Sequence, residues 1–146
     1  MGIKMFVTRK IVAVISIFEV ICFLLKNKSL FKNRIIYVSW FDCFGHTISG
    51  IDFASRIFYP NKISVVYMDH PHANAYIPLL FQHNVDPYIF RGVSSTDNWP
   101  LGNIGFKVML FVLEMLSVLN NNKKGDYHSF RIVTYPLITK MLSLSD

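Results

Sequence analysis

Residues 35–68 read IIYVSWFDCFGHTISGIDFASRIFYPNKISVVYM, and this stretch decides the fold. Ile35 to Trp40 is short, β-branched and aromatic, with apolar residues on both faces, the pattern of a strand in a parallel sheet covered on both sides. A loop is expected over Phe41 to Thr47. From Ile48 to Tyr59 the apolar residues Ile48, Ile51, Phe53, Ala54, Ile57 and Phe58 form a helical stripe that Pro60 and Asn61 stop. Ile63 to Met68 then returns to the strand pattern.

Working outward, the alternation continues. A second helical segment is expected across His72 to His83, kinked or delayed by Pro78, and Asn84-Val85-Asp86-Pro87 leads into a third strand, Tyr88 to Arg91. This βαβαβ order implies a parallel sheet with right-handed crossovers. The expected class is therefore α/β, a Rossmann-like three-layer domain with a short parallel sheet. Beyond it, Gly92 to Gly105 reads as a long loop, Ile104 to Leu119 as a helix and Asn120 to Lys124 as a turn. Phe130 to Tyr135 reads as a fourth strand and Pro136 to Leu144 as a closing helix.

The 146 residues carry 52% hydrophobic and 15% aromatic side chains, enough apolar surface to exclude a disordered tail. The net charge of +6 is unevenly placed. Through Arg34 the basic residues are Lys4, Arg9, Lys10, Lys26, Lys28, Lys32 and Arg34 against Glu19 alone, and from Ile35 onward acids and bases balance. A nucleic-acid-binding domain carries its positive charge over its folded face, so nucleic acid is not an expected partner. Cys22 and Cys43 form neither a disulfide framework nor a zinc-finger spacing, which favours a reducing compartment.

The basic residues flank Ile11 to Leu25, IVAVISIFEVICFLL, a run without a polar stripe. Its 15 residues fall short of the ~20 that a spanning helix needs, and no small-residue cleavage site precedes Lys26. The expected organisation is a hydrophobic helix over residues 1–34, acting as a membrane anchor, before an α/β domain over residues 35–146. The corresponding localisation is membrane-associated, on the cytoplasmic face, with the lipid surface as a partner.

The candidate chemistry lies where parallel sheets place ligands, beyond the carboxyl ends of the strands. After the first strand come Asp42, Cys43, Phe44, Gly45, His46 and Thr47. Gly45 is suited to a close backbone approach to a ligand, and a helix start offers N–H groups to an anion or a sugar hydroxyl. His46 is the candidate general base, with Asp42 as the carboxylate that orients it. Thr47 fits either substrate binding or a helix cap. After the second strand come Asp69, His70, Pro71 and His72, of which Asp69, His70 and His72 are candidate substrate-binding residues. The same His and carboxylate types suit a metal, but the spacing is unspecific, and neither a metal nor a cofactor is expected. Gly45 to Gly50 lacks the Lys-Ser/Thr of a phosphate loop, and no nucleophile elbow or dinucleotide fingerprint occurs. Trp40, Trp99, Tyr37 and Tyr67 are of the type that stacks on sugars, although such positions more often belong to the core.

The strand followed by Phe44-Gly45-His46, a helix and a second strand–helix unit resembles the N-terminal domain of GT-B glycosyltransferases, over roughly Arg34 to Arg91. In two branches of that class a Gly-His pair opens the first helix; in the plant-type sugar transferases the His is the base. A proline usually follows three residues later, where this sequence has Ser49. The resemblance implies an acceptor-side half that transfers a sugar from a nucleotide sugar to a glycan or lipid-linked acceptor. It also implies a second α/β domain or subunit to hold the donor, without which the chain is expected to be inactive. The competing expectation is a non-enzymatic, membrane-anchored α/β module that binds a partner.

Overall fold

The computed structural model describes residues 2–39, 44–69, 71–91, 104–121, 130–134, 137, 140 and 143. Four strands, β1 (Ile35–Val38), β2 (Ile63–Met68), β3 (Val85–Phe90) and β4 (Arg131–Val133), form one sheet in the order β3-β2-β1-β4, with every pairing parallel. Four longer helices accompany them: α1 (Ile3–Lys26), α2 (Phe44–Ile57), α3 (Pro71–Leu80) and α4 (Ile104–Asn121), with a short 3-10 turn over Lys28–Lys32. The fold is α/β and compatible with a Rossmann-like arrangement.

Side chains alternate across the pleat, and each sheet face has its own core. Ile36, Val38, Val66, Met68 and Phe90 pack with Val20, Phe23 and Leu24 of α1 and with Phe106, Met109 and Leu113 of α4. On the opposite face Tyr37, Val65 and Tyr67 pack with Ile51 and Ala54 of α2 and with Ala73 and Ile77 of α3. These are the three expected layers. All six residues of β2 are buried, as an interior strand requires. β3 is an edge strand and begins at Val85, three residues before the expected start. Pro87 lies within it, and an edge strand tolerates the missing N–H.

Two boundaries differ in ways that matter to the site. α2 begins at Phe44 rather than Ile48, so Gly45, His46 and Thr47 belong to its first turn and not to a loop. Their low helix propensity is overridden by the apolar stripe that follows, and Ser49 Oγ donates back to the Gly45 carbonyl at 2.8 Å, the i−4 geometry of a helical turn. α3 begins at Pro71, the helix position that best accepts proline because its N–H would have no partner there. Of the expected closing helix only Leu137, Lys140 and Ser143 are described, each helical, and the loop at 92–103 lies outside the described residues.

α1 starts well before the apolar run, and its C-terminal half is built into the domain. Val12, Ser16, Val20, Phe23 and Leu24 are its buried stripe, and Phe23 meets Phe90 edge-on at 5.3 Å. The turn after it is tied to the sheet: Ser64 Oγ donates to the Leu30 carbonyl at 2.7 Å, and Asn33 Nδ2 donates to Asp86 Oδ2 at 2.8 Å. Among the described residues, no helix is long and apolar enough to cross a membrane.

Candidate functional site

The parallel sheet puts the ends of β1 and β2, and the starts of α2 and α3, along one edge. In the order β3-β2-β1-β4 the chain reverses its direction of winding between β1 and β4, and it is beyond the carboxyl ends of such neighbouring strands that open α/β sheets bind ligands. Gly45 and His46 are exposed in the first turn of α2, next to that position, while Thr47 is buried. Gly45 is helical, and a Cβ there would meet nothing within 4 Å. No protein atom packed on Gly45 requires glycine, and the space beside it is open to a ligand. Asp42, the proposed partner of His46, lies outside the described residues, as do Cys43 and His70.

Asp69 follows β2 directly and is the best-defined polar group at this edge. Its carboxylate accepts from Asn74 Nδ2 and, at 2.8 Å, from Arg91 Nε. The Asn74 hydrogen bond leads in holding the Asp69 carboxyl below the usual range, with Arg91 adding to it against the opposing effect of partial burial. Asp69 is therefore an anion already engaged by one helix and one strand end, and it can still present lone pairs to a hydroxyl donor. Arg91 and Asn74 were not expected in this role. The register Met68↔Phe90 carries the clue for Arg91, since one step further pairs Asp69 with it. His72 is exposed in the first turn of α3, at the same edge.

Two hydroxyls lie buried behind this edge, that of Ser39 and that of Tyr67. Ser39 follows β1 and is fully buried, and the Val38↔Val66 register places it opposite Tyr67. Ser39 N donates to the Val66 carbonyl at 2.8 Å, which extends the ladder to this point. The side-chain oxygens of Ser39 and Tyr67 are buried with no hydrogen-bond partner. Burial, followed by the Asp69 charge, pushes the Tyr67 phenol up to about 12, with Arg91 opposing, so Tyr67 is neutral and a potential donor near neutral pH. Tyr37 and Tyr67 are core residues, 0% and 1% exposed, which removes them as sugar-stacking platforms. Trp40 and Trp99 lie outside the described residues.

Among the described residues no group of three His, Cys, Asp or Glu side chains could hold a metal ion. What this edge offers is a histidine at a helix start and an oriented carboxylate beside an arginine. That combination suits hydrogen bonding to a polyol or an anion together with proton transfer. Comparison with protein-family models, with curated proteins and with solved structures gave no match. The class of protein defined here therefore rests on the fold and the site: an α/β domain with a parallel sheet and a polar carboxyl edge.

Proposed function

We propose that the chain is the acceptor-side half of a glycosyltransferase, held at a membrane and completed by a second α/β domain or subunit that carries the nucleotide sugar. The observation that carries the reading is the position of His46: exposed, in the first turn of the helix after β1, on the same sheet edge as Asp69. In this reading His46 takes the proton from the acceptor hydroxyl as that oxygen attacks the sugar carbon, the sugar–phosphate C–O bond breaks and the nucleotide leaves with its electron pair, and Asp42 orients the imidazole. Asp69, fixed by Arg91 and Asn74, accepts a hydrogen bond from a second acceptor hydroxyl. Gly45, His70 and His72 complete the acceptor contacts, while Thr47, which is buried, belongs to the packing of α2. The start of α2 contributes a partial positive charge favourable to an anionic group on the acceptor.

The test is acceptor binding by the whole chain, followed through backbone amide resonances while a polyprenyl-phosphate-linked monosaccharide in bicelles, or the free monosaccharide, is added. The expected result is a saturable response confined to the start of α2 and to residues around Asp69, weakened at least about tenfold by Asp69→Asn, the loss of a charge-assisted hydrogen bond. The absence of any response at that edge, or one that Asp69→Asn leaves unchanged, would overturn the site. In the completed enzyme, an unchanged transfer rate in His46→Ala would remove the base assignment.

A further inference from the structure

We infer that α1 and α4 together form a single docking face that lies in the headgroup plane of an anionic bilayer, with the basic start of α1 reaching past the carboxyl edge of the sheet. This rests on the membrane part of the preceding reading and not on its chemistry.

The two helices cover the same sheet face, and their outer surfaces are largely apolar, with Lys107 and Glu114 the exposed charges on α4. Phe18 on α1 is 66% exposed and Phe111 on α4 is 63% exposed, and the neighbouring Val14, Ile21, Met115 and Leu119 are exposed as well. An open groove of about 320 Å³ runs between the helices, lined by Ile17, Ile104, Lys107, Val108, Phe111 and Val112. A continuous apolar surface of this kind marks an interaction site.

The direction of the helices follows from their contacts. The Phe106 ring, near the start of α4, lies 5.5 Å from Phe90 at the carboxyl end of β3. Near the other end of α4, Ser117 Oγ donates to the Phe130 carbonyl just before β4. α4 therefore runs from the carboxyl edge to the amino edge. α1 runs alongside in the same sense, since Ile17 shares a groove with Ile104 while Phe31, just after α1, shares a hollow with Leu116 and Leu119. The buried stripe of α1 begins at Val12, so Ile3 to Ile11 project roughly 13 Å further at 1.5 Å per residue. They project past the start of α4, on the side of the edge that carries His46 and Asp69.

Charge identifies the occupant. The overhang bears Lys4, Arg9 and Lys10 without an acid, and Lys10 Nζ lies over the Phe6 ring, 4.5 Å from its centroid, on a stem of the length that lets a lysine reach headgroups from an apolar surface. With no spanning helix among the described residues, insertion is interfacial: apolar side chains enter the acyl boundary and cations meet anionic lipid.

The test is sedimentation of the full chain with phosphatidylcholine vesicles, with and without phosphatidylglycerol, at low and high salt. The expected result is binding that requires phosphatidylglycerol and weakens with salt. Phe18→Asp and Phe111→Asp should each lower affinity about tenfold. Replacing Lys4, Arg9 and Lys10 by Gln should lower it on the order of a hundredfold, at about fivefold per cation. Leu79→Asp with Leu80→Asp, exposed on α3 in the opposite layer, should bind like the parent; all of these positions are exposed, and circular dichroism checks the fold. Parent-like binding by Phe111→Asp would remove α4 from the face and overturn the proposal. Equal loss in the α3 variant, or equal binding without phosphatidylglycerol, would overturn it too. A concentration-dependent dimer without vesicle binding would assign the face to a second copy instead. Failure here leaves the acceptor titration intact, and failure of that titration leaves vesicle binding intact.

Discussion

Gly50 of α2 lies directly against the hydroxyl of Tyr37, so a Cβ at position 50 would collide with it, whereas a Cβ at Gly45, one and a half turns earlier, would meet open space. Tyr37 cannot yield easily, because it is fully buried in β1 among Ile51, Val65 and Tyr67. Gly50→Ala should therefore cost about 1–3 kcal/mol through overpacking. Gly45→Ala should be neutral or stabilise by up to about 1 kcal/mol, since alanine lowers the chain entropy lost on helix formation. Urea denaturation of the two variants checks this. Equal effects, in either direction, would contradict the packing of α2 on β1.

Tyr67 and Ser39 make a prediction of unusual sign. Removing a hydroxyl from a core normally costs its hydrogen bond, but these two oxygens are buried without one. Tyr67→Phe and Ser39→Ala should thus be neutral or stabilising, by up to about 1–3 kcal/mol, the range for a buried unsatisfied group. The measurement is the shift in the denaturation midpoint without ligand. A clear loss of stability in Tyr67→Phe would mean that the phenol is already satisfied.

At the opposite edge of the sheet, Asp86 accepts from Lys62 Nζ at 2.8 Å and from Asn33 Nδ2. Burial pushes the Asp86 carboxyl up, but the hydrogen bonds from Lys62 and Asn33, with the charges of Lys62 and Lys32, outweigh it and leave the group below its usual range. A folded value below the unfolded one, about 3.9, means that the contribution is complete above that pH and is lost as pH falls through the folded value. The urea midpoint should drop on acidification below about pH 4, and the drop should be smaller in Asp86→Asn. Asp69 is depressed as well, so only the double substitution should remove both contributions. Identical acid profiles for the parent and Asp86→Asn would show that this network does not discriminate the folded carboxylate.

The parallel sheet was legible because β1 and β2 are apolar on both faces, a pattern that few other structures produce, and because proline and asparagine mark the ends of the helices between them. What was not legible follows from tertiary override. Gly45-His46-Thr47 has the composition of a loop, yet it is helical because the apolar stripe behind it propagates the helix toward the strand. Val85 to Pro87 reads as a turn, yet it pairs with β2 because an edge position forgives proline. At the candidate site, His46 and Asp69 were visible as chemistry-bearing residues at strand ends. Arg91 was not, because its place there depends on strand register, which a single sequence specifies only through the turns and contacts that the fold assembles.

The strongest departure concerns where the domain begins. The charge asymmetry suggests a boundary at residue 34, and with it an α/β domain that starts at Ile35. In the structure Val20, Phe23, Leu24 and Leu30 are buried in the core shared with Ile36, Val38, Val66 and Phe90. Fully burying a side chain of this size stabilises by about 1.5–3 kcal/mol, so deleting these four removes roughly 6–12 kcal/mol, comparable with the whole stability of a domain, about 5–15 kcal/mol. A chain starting at Ile35 would also uncover the part of one sheet face that α1 shares with α4, and it should be unfolded or aggregated. A chain starting at Ile11 keeps every buried residue of α1 and should fold like the parent, with weaker vesicle binding because Lys4, Arg9 and Lys10 are gone. Amide resonance dispersion and resistance to proteolysis distinguish the two truncations. A well-folded chain from Ile35 would show that α1 is an appendage, and it would return the boundary to the position that charge alone suggests.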